Sequence, residues 1–215
     1  MEKTMYGILK TTGICPIMVE PKPEQAVPAA KALARGGIPV LEILMRNENS
    51  LKHLNNIVRE APEVISGAGS VLNIEQAKKV IDLGAKFIVM PGFKADVVEY
   101  ALKNNISVLP GCVTATEIMM ALSYGINVVK FYPVYEMGGT NTLAQFNNGP
   151  FGMIEWVVTG GLDGKNFLPL IKYKNTLAAG GDWMFNEKNA LINSDYEQIE
   201  ENTRKTVLDS LNVRA

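Results

Sequence analysis

Residues 107–133 read SVLPGCVTATEIMMALSYGINVVKFYP. A short apolar run, SVLPGC (107–112), leads into TATEIMMALSYG (114–125). The apolar residues of that second stretch recur at i, i+3 and i+4, and it stops at Gly125, a common C-terminal signal of a helix. A second apolar run, VVKFYP (128–133), follows almost at once. Two strands separated by a helix pair in parallel, because a parallel connection needs a crossover that only a helix-sized segment supplies.

The same rhythm extends in both directions. Upstream lie ICPIMVE (14–20), VLEILM (40–45), VISGAG (64–69) and FIVMPG (87–92); downstream lie WVVTGG (156–161) and TLAAGG (176–181). Amphipathic stretches such as PEQAVPAAKALARGG (23–37) and NIEQAKKVIDLG (73–84) separate them. Eight strand–helix pairs without a hairpin fill a closed (β/α)8 barrel, the expected fold, although an open doubly wound sheet shares the pattern. At 215 residues the barrel is short against the ~250 that is typical, so its loops must be tight. No linker, low-complexity stretch or charge block interrupts residues 1–215, which predicts a single domain. SDYEQIEENTRKTVLDSL (194–211) reads as a terminal helix packed on the outside.

Composition narrows the partners. Lys plus Arg total 21 against 22 for Asp plus Glu, so there is no basic excess to draw nucleic acid or an anionic membrane surface. Two cysteines, one histidine and no CxxC leave neither a disulfide framework nor a His/Cys metal cluster. MEKTMYGILKTTGICPIMVEPKP (1–23) has no uninterrupted apolar stretch of signal-peptide length, and no segment approaches the ~20 apolar residues of a membrane helix. The expected location is the cytoplasm.

Small residues collect at the C-terminal ends of the runs: GAGS (67–70), MPG (90–92), LPG (109–111), TGG (159–161) and AGG (179–181). That end of a parallel barrel carries the active site, and glycines there let a ligand approach the backbone and leave amides free for anions. Two charged residues interrupt the strands. Lys130 sits inside VVKFYP, where both faces are normally apolar. Burying an unpaired ammonium is costly, and the usual response is a lowered pKa that frees the amine for Schiff-base chemistry on ketones. A lysine that snorkels to solvent or closes a structural ion pair is the alternative. Glu42 interrupts VLEILMR in the same way, and alternation puts Glu42, Leu44 and Arg46 on one face. At ~3.3 Å per residue Arg46 lies about 13 Å beyond Glu42, just past the rim. A carboxylate beside a lysine can shuttle protons, and a rim arginine can clamp a substrate carboxylate.

Other candidates are weaker. His53 reads as a solvated surface residue at the start of a helix, Cys15 and Cys112 as buried inert thiols, and Asp163 as a helix N-cap. Neither GxGxxG nor GxxxxGK[ST] occurs.

Taken together, LEILMR, GAGSVL, MPG, LPGCVTATE, KFYP, TGG and GGDW, in that order between about residues 14 and 183, resemble the class I bacterial aldolases that cleave 2-dehydro-3-deoxy-6-phosphogluconate and often 4-hydroxy-2-oxoglutarate. The resemblance implies a (β/α)8 barrel, usually a homotrimer, that works through a lysine imine without metal or other cofactor. It assigns the imine with pyruvate or the keto acid to Lys130 and the general acid/base role to Glu42. Arg46, helped by Ser70, would bind the pyruvate carboxylate, while Pro91 and Tyr132 would shape the pocket around the methyl group. Gly160 and Gly161 would offer amides to the distal end of the substrate, where the family binds phosphate. Thr159, Gly181 and Asp182 complete the substrate-binding positions.

Three departures stand out. Ser70 replaces a usual threonine, Tyr132 a usual phenylalanine, and Asp182 a usual serine that meets the phosphate. A carboxylate beside a phosphate is repelled by about 1 kcal/mol per unit charge pair at 4 Å even in water. Asp182 therefore either marks an unphosphorylated substrate, such as a free 2-dehydro-3-deoxy sugar acid, or turns away to cap the helix that follows. Two other functions share the fold: a barrel isomerase or epimerase using Glu42 without a covalent step, and a non-catalytic binder of small acids. Only the lyase needs a reactive Lys130.

Overall fold

The computed structural model describes residues 4–214. Eight strands alternate with helices: β1 (Ile14–Met18), β2 (Val40–Leu44), β3 (Ile65–Gly69), β4 (Phe87–Val89), β5 (Ser107–Leu109), β6 (Val128–Phe131), β7 (Glu155–Thr159) and β8 (Thr176–Gly181). The helices are α1 (Met5–Thr12), α2 (Ala26–Arg35), α3 (Ser50–Glu60), α4 (Ile74–Asp82), α5 (Ala95–Lys103), α6 (Ala115–Ser123), α7 (Gly139–Asn148), α8 (Leu168–Ile171), α9 (Trp183–Asn186) and α10 (Tyr196–Arg214). Every strand falls within or one residue from an apolar run read from the sequence.

All pairings are parallel, in the order β5-β4-β3-β2-β1-β8-β7-β6. The two ends of that order are joined. Gly111 bridges Lys130, the Lys130 amide donates to the Pro110 carbonyl at 2.9 Å, and the Cys112 amide donates to the Lys130 carbonyl at 2.9 Å. Strands neighbouring in sequence are therefore neighbours around a cylinder, and the fold is a (β/α)8 barrel rather than an open sheet.

Local chemistry sets the element boundaries. At the start of α6 the Thr114 hydroxyl accepts from the Glu117 amide, and the Glu117 carboxylate accepts from the amides of Val113 and Thr114, both at 2.9 Å, forming a capping box. The terminal helix starts two residues later than expected. Ser194 is in the left-handed region at φ +55, and the Asp195 carboxylate takes the Gln198 amide at 2.9 Å, so Asp195 caps α10. Helix α1 was not expected from the sequence. Thr4 caps it at 3.1 Å, and Tyr6 donates to Glu155 at the start of β7, which lays the helix across the N-terminal end of the barrel.

Two expectations are corrected. His53 is only 2 % exposed, because position 53 falls on the inward stripe of α3 beside Leu54 and Ile57. Burial, with Lys52 adding to it, lowers its pKa. Asp163 accepts the amides of Lys165 and Asn166, both at 2.8 Å, so it closes a turn ahead of α8 instead of capping the helix. Cys15 and Cys112 are buried free thiols, as expected. Among the described residues no helix is long and apolar enough to cross a membrane.

Candidate active site

Glu42 on β2 and Lys130 on β6 meet inside the barrel, with Lys130 Nζ 3.8 Å from Glu42 Oε1. They are 1 % and 7 % exposed, so neither snorkels to solvent. Glu42 fits because the adjoining strand β3 ends in Gly69: a Cβ there would overlap the Glu42 carboxylate. Burial raises the Glu42 pKa, and the charges of Lys130 and Arg46 only partly oppose that. Among the described residues Glu42 Oε1 has no hydrogen-bond partner, so the carboxylate keeps an acceptor free beside the amine. Lys130 Nζ also lies 5.3 Å from the centroid of the Tyr132 ring.

Above this pair opens a cavity of about 360 Å³ at the C-terminal ends of the strands. Arg46, Ser70, Pro91, Lys130, Tyr132, Thr159, Gly160, Gly161, Gly181 and Asp182 all line it, while Glu42 lies beneath Lys130, outside the lining. Arg46, past the end of β2, donates from Nε to Ser70 Oγ at 3.1 Å. Ser70 holds φ +58, an uncommon conformation for a non-glycine residue, at the turn that brings its hydroxyl to the guanidinium. Pro91 packs its backbone so closely on Gly111 that a Cβ at position 111 would strike the Pro91 carbonyl.

On the far side, Gly160 and Gly161 adopt φ +108 and +64, which glycine reaches without strain. A Cβ at Gly160 would press on Pro133 and Tyr132 at 3.0–3.2 Å, whereas one at Gly161 meets nothing within 4 Å. Asn166 Nδ2 donates to the Gly161 carbonyl at 2.9 Å and holds the turn. Thr159 Oγ1 is buried and has no hydrogen-bond partner among the described residues. Asp182 does not cap α9 with its side chain; the Phe185 and Asn186 amides go to its backbone carbonyl. Its carboxylate Oδ2 accepts from Asn186 Nδ2 at 2.7 Å. Asp182 thus stands at the N-cap position of α9 and turns one carboxylate oxygen to Asn186 of that helix, without bonding its backbone amides.

Ile17, Val19, Leu44 and Leu162 add apolar lining that the sequence reading did not single out. Ile17 and Val19 are two apart and share a face, but a barrel strand is apolar on both faces, so the pattern does not say which face looks inward. Cys15, close to the Glu42–Lys130 pair, has its pKa pushed up by burial and then by Glu42; the Cys112 thiol is pushed up to about 12 by burial and then by Glu117. Neither thiol is a ready nucleophile.

An amine and a buried carboxylate below a cavity with a cationic rim suit carbonyl chemistry on a small acid, at the end of the barrel where such enzymes work. The family model described as "Aldolase: KDPG and KHG aldolase" matches residues 5–202. The chain belongs to this KDPG and KHG aldolase family and is a lyase. It is 37 % identical to the KHG/KDPG aldolase of Escherichia coli K12 over 206 residues, covering 95 % of this chain and 96 % of that one. It is 34 % identical to the 2-dehydro-3-deoxy-phosphogluconate aldolase of Treponema pallidum, covering 95 % and 96 %. The KDPG aldolase of Legionella pneumophila, solved with pyruvate captured at low pH as a covalent carbinolamine intermediate, superposes with a TM-score of 0.87 at 30 % identity, covering 94 % and 97 %.

Proposed function

We propose that this protein cleaves 2-keto-3-deoxy sugar acids, the class that includes 2-dehydro-3-deoxy-6-phosphogluconate, and 4-hydroxy-2-oxoglutarate, to pyruvate and an aldehyde through an imine on Lys130. The observation that carries the reading is the buried Lys130–Glu42 pair, 3.8 Å apart under a cavity with Arg46 on its rim. The substrate carboxylate lies on Arg46 and Ser70, which brings the C2 carbonyl over Lys130. The Lys130 amine adds to C2, and the C2 oxygen takes up a proton and leaves as water, which gives the protonated imine. Glu42, whose pKa burial raises above the ordinary carboxylate range, takes the C4 hydroxyl proton. The C3–C4 bond breaks, its electron pair moves toward the iminium to form the enamine, and the aldehyde leaves. Glu42 then protonates C3, and water hydrolyses the imine to release pyruvate and restore Lys130. No metal or cofactor enters this sequence of steps.

Pyruvate with borohydride should add a reduced pyruvyl group to the peptide bearing Lys130, and Lys130→Ala should abolish both labelling and cleavage. An unlabelled Lys130 in an active protein would sink the imine on Lys130. The protein is further read as a cytoplasmic homotrimer. Its two thiols are free, which suits a reducing compartment, and Met119 and Met153 are 63 % and 54 % exposed, apolar surface that a second copy would cover. Light scattering that returned a single chain mass would remove the trimer.

A further inference from the structure

The cavity is electrically lopsided. Among the described residues that line it, the cations are Arg46 and Lys130 and the one anion is Asp182. Arg46 follows β2 and Asp182 follows β8, with β1 between them, so the two charges sit two strand spacings apart around the wall, ~10 Å. A keto acid with its carboxylate on Arg46 and C2 on Lys130 directs the rest of its chain toward Thr159, Gly160, Gly161 and Asp182. Resting on the imine reading above, we infer that Asp182 sets the substrate class: aldols whose distal end carries a free hydroxyl are preferred over those ending in phosphate.

Both cations are committed before the distal end is read. Arg46 faces the substrate carboxylate, and Lys130 is covalently engaged at C2. Lys165, on the loop after β7, is exposed and outside the lining. A distal phosphate, carrying about −1.5 to −2 at neutral pH, would meet the Asp182 carboxylate with the Gly160 and Gly161 amides but no lining cation to offset it. The Asp182 side chain is engaged at only one of its two oxygens. Asn186 holds Oδ2 at 2.7 Å, and the helix behind is capped by the backbone, which leaves Oδ1 to accept from a ligand. An ionised carboxylate is an acceptor only, and a hydroxyl is the donor that suits it. The buried, unpartnered Thr159 Oγ1 on the neighbouring strand offers the same chain a second polar contact.

The test compares kcat/KM for 2-dehydro-3-deoxygluconate and for its 6-phosphate in the wild type, Asp182→Asn and Asp182→Ser. The wild type should favour the unphosphorylated acid by on the order of tenfold or more, and both variants should shift the ratio toward the phosphate by a similar factor. Pyruvate–borohydride labelling of Lys130, run on all three proteins, reports whether the pyruvate half of the site is intact. Labelled wild type that prefers the phosphate, or a ratio unmoved in labelled variants, overturns the role of Asp182 while leaving the imine standing. Absence of labelling in the wild type overturns the imine reading and this inference with it.

Discussion

Glu42 owes its chemistry to residues that do no chemistry. Gly69 was legible in GAGS only as a small residue near a turn; its observed effect is to leave space for the carboxylate of the next strand. Lys130 and Glu42 were legible as charges inside apolar runs, because burying a charge in a strand apolar on both faces is costly unless the site uses it. Their proximity came from the resemblance alone, since no local pattern relates β2 to β6. The pH behaviour of proton transfer follows from this setting. Burial raises the Glu42 pKa, so the carboxylate form that accepts a proton fills at higher pH than for an exposed glutamate. Exchange of the pyruvate methyl protons, followed by NMR, should therefore rise with pH along an acid limb above the ordinary carboxylate range. Glu42→Gln should remove that limb and slow exchange by roughly 10²–10⁴-fold, while borohydride still traps pyruvate on Lys130. An unchanged profile in the variant would move the shuttle to another group.

Strands were read more completely than helices. A short run of β-rich apolar residues between amphipathic stretches is a strong local signal, and all eight runs contain strands. Helix α1 went unread because MYGILKTT is short, carries Gly7 inside and gains its stability from Met5, Ile8 and Leu9 packing on the barrel, which is a tertiary effect. Helix α8 spans only Leu168–Ile171, too short to show periodicity. At the start of α6 the structure adds a consequence the helical periodicity did not carry. The Thr114–Glu117 capping box ties down the Val113 and Thr114 amides, one and two residues beyond the Cys112 amide that bonds to the Lys130 carbonyl. Thr114→Ala should cost about 1 kcal/mol, seen as a lower urea midpoint with an unchanged m-value. A variant as stable as the wild type would show that Glu117 alone holds this turn.

Closure of the barrel is the property that no single stretch of sequence encodes. Eight strand–helix pairs are compatible with an open sheet, and the difference lies in whether the first and last strands of the order meet. Here they meet sparingly. β5 has three residues, and its join to β6 is the single bridge from Gly111 to Lys130 with the two flanking hydrogen bonds, against four paired positions between β6 and β7 and five between β2 and β3. The β5–β6 seam and the β3–β4 line thus have the fewest paired positions, one each, and the imine-forming residue proposed above sits on the β5–β6 seam. Local opening follows the least-bonded segment and needs less free energy than global unfolding. The two cysteines report it, because Cys112 lies at the seam and Cys15 lies on β1, hydrogen-bonded between β2 and β8. With the Cys112 pKa pushed up to about 12, roughly one part in 10⁴ is thiolate at pH 8 even before burial blocks access, so alkylation of either thiol requires opening. Under iodoacetamide in the native protein, Cys112 should be modified well before Cys15, with a rate that depends only shallowly on urea, while Cys15 should follow the steep dependence of global unfolding. Equal rates at the two thiols, with one shared urea dependence, would mean that the barrel opens only as a whole.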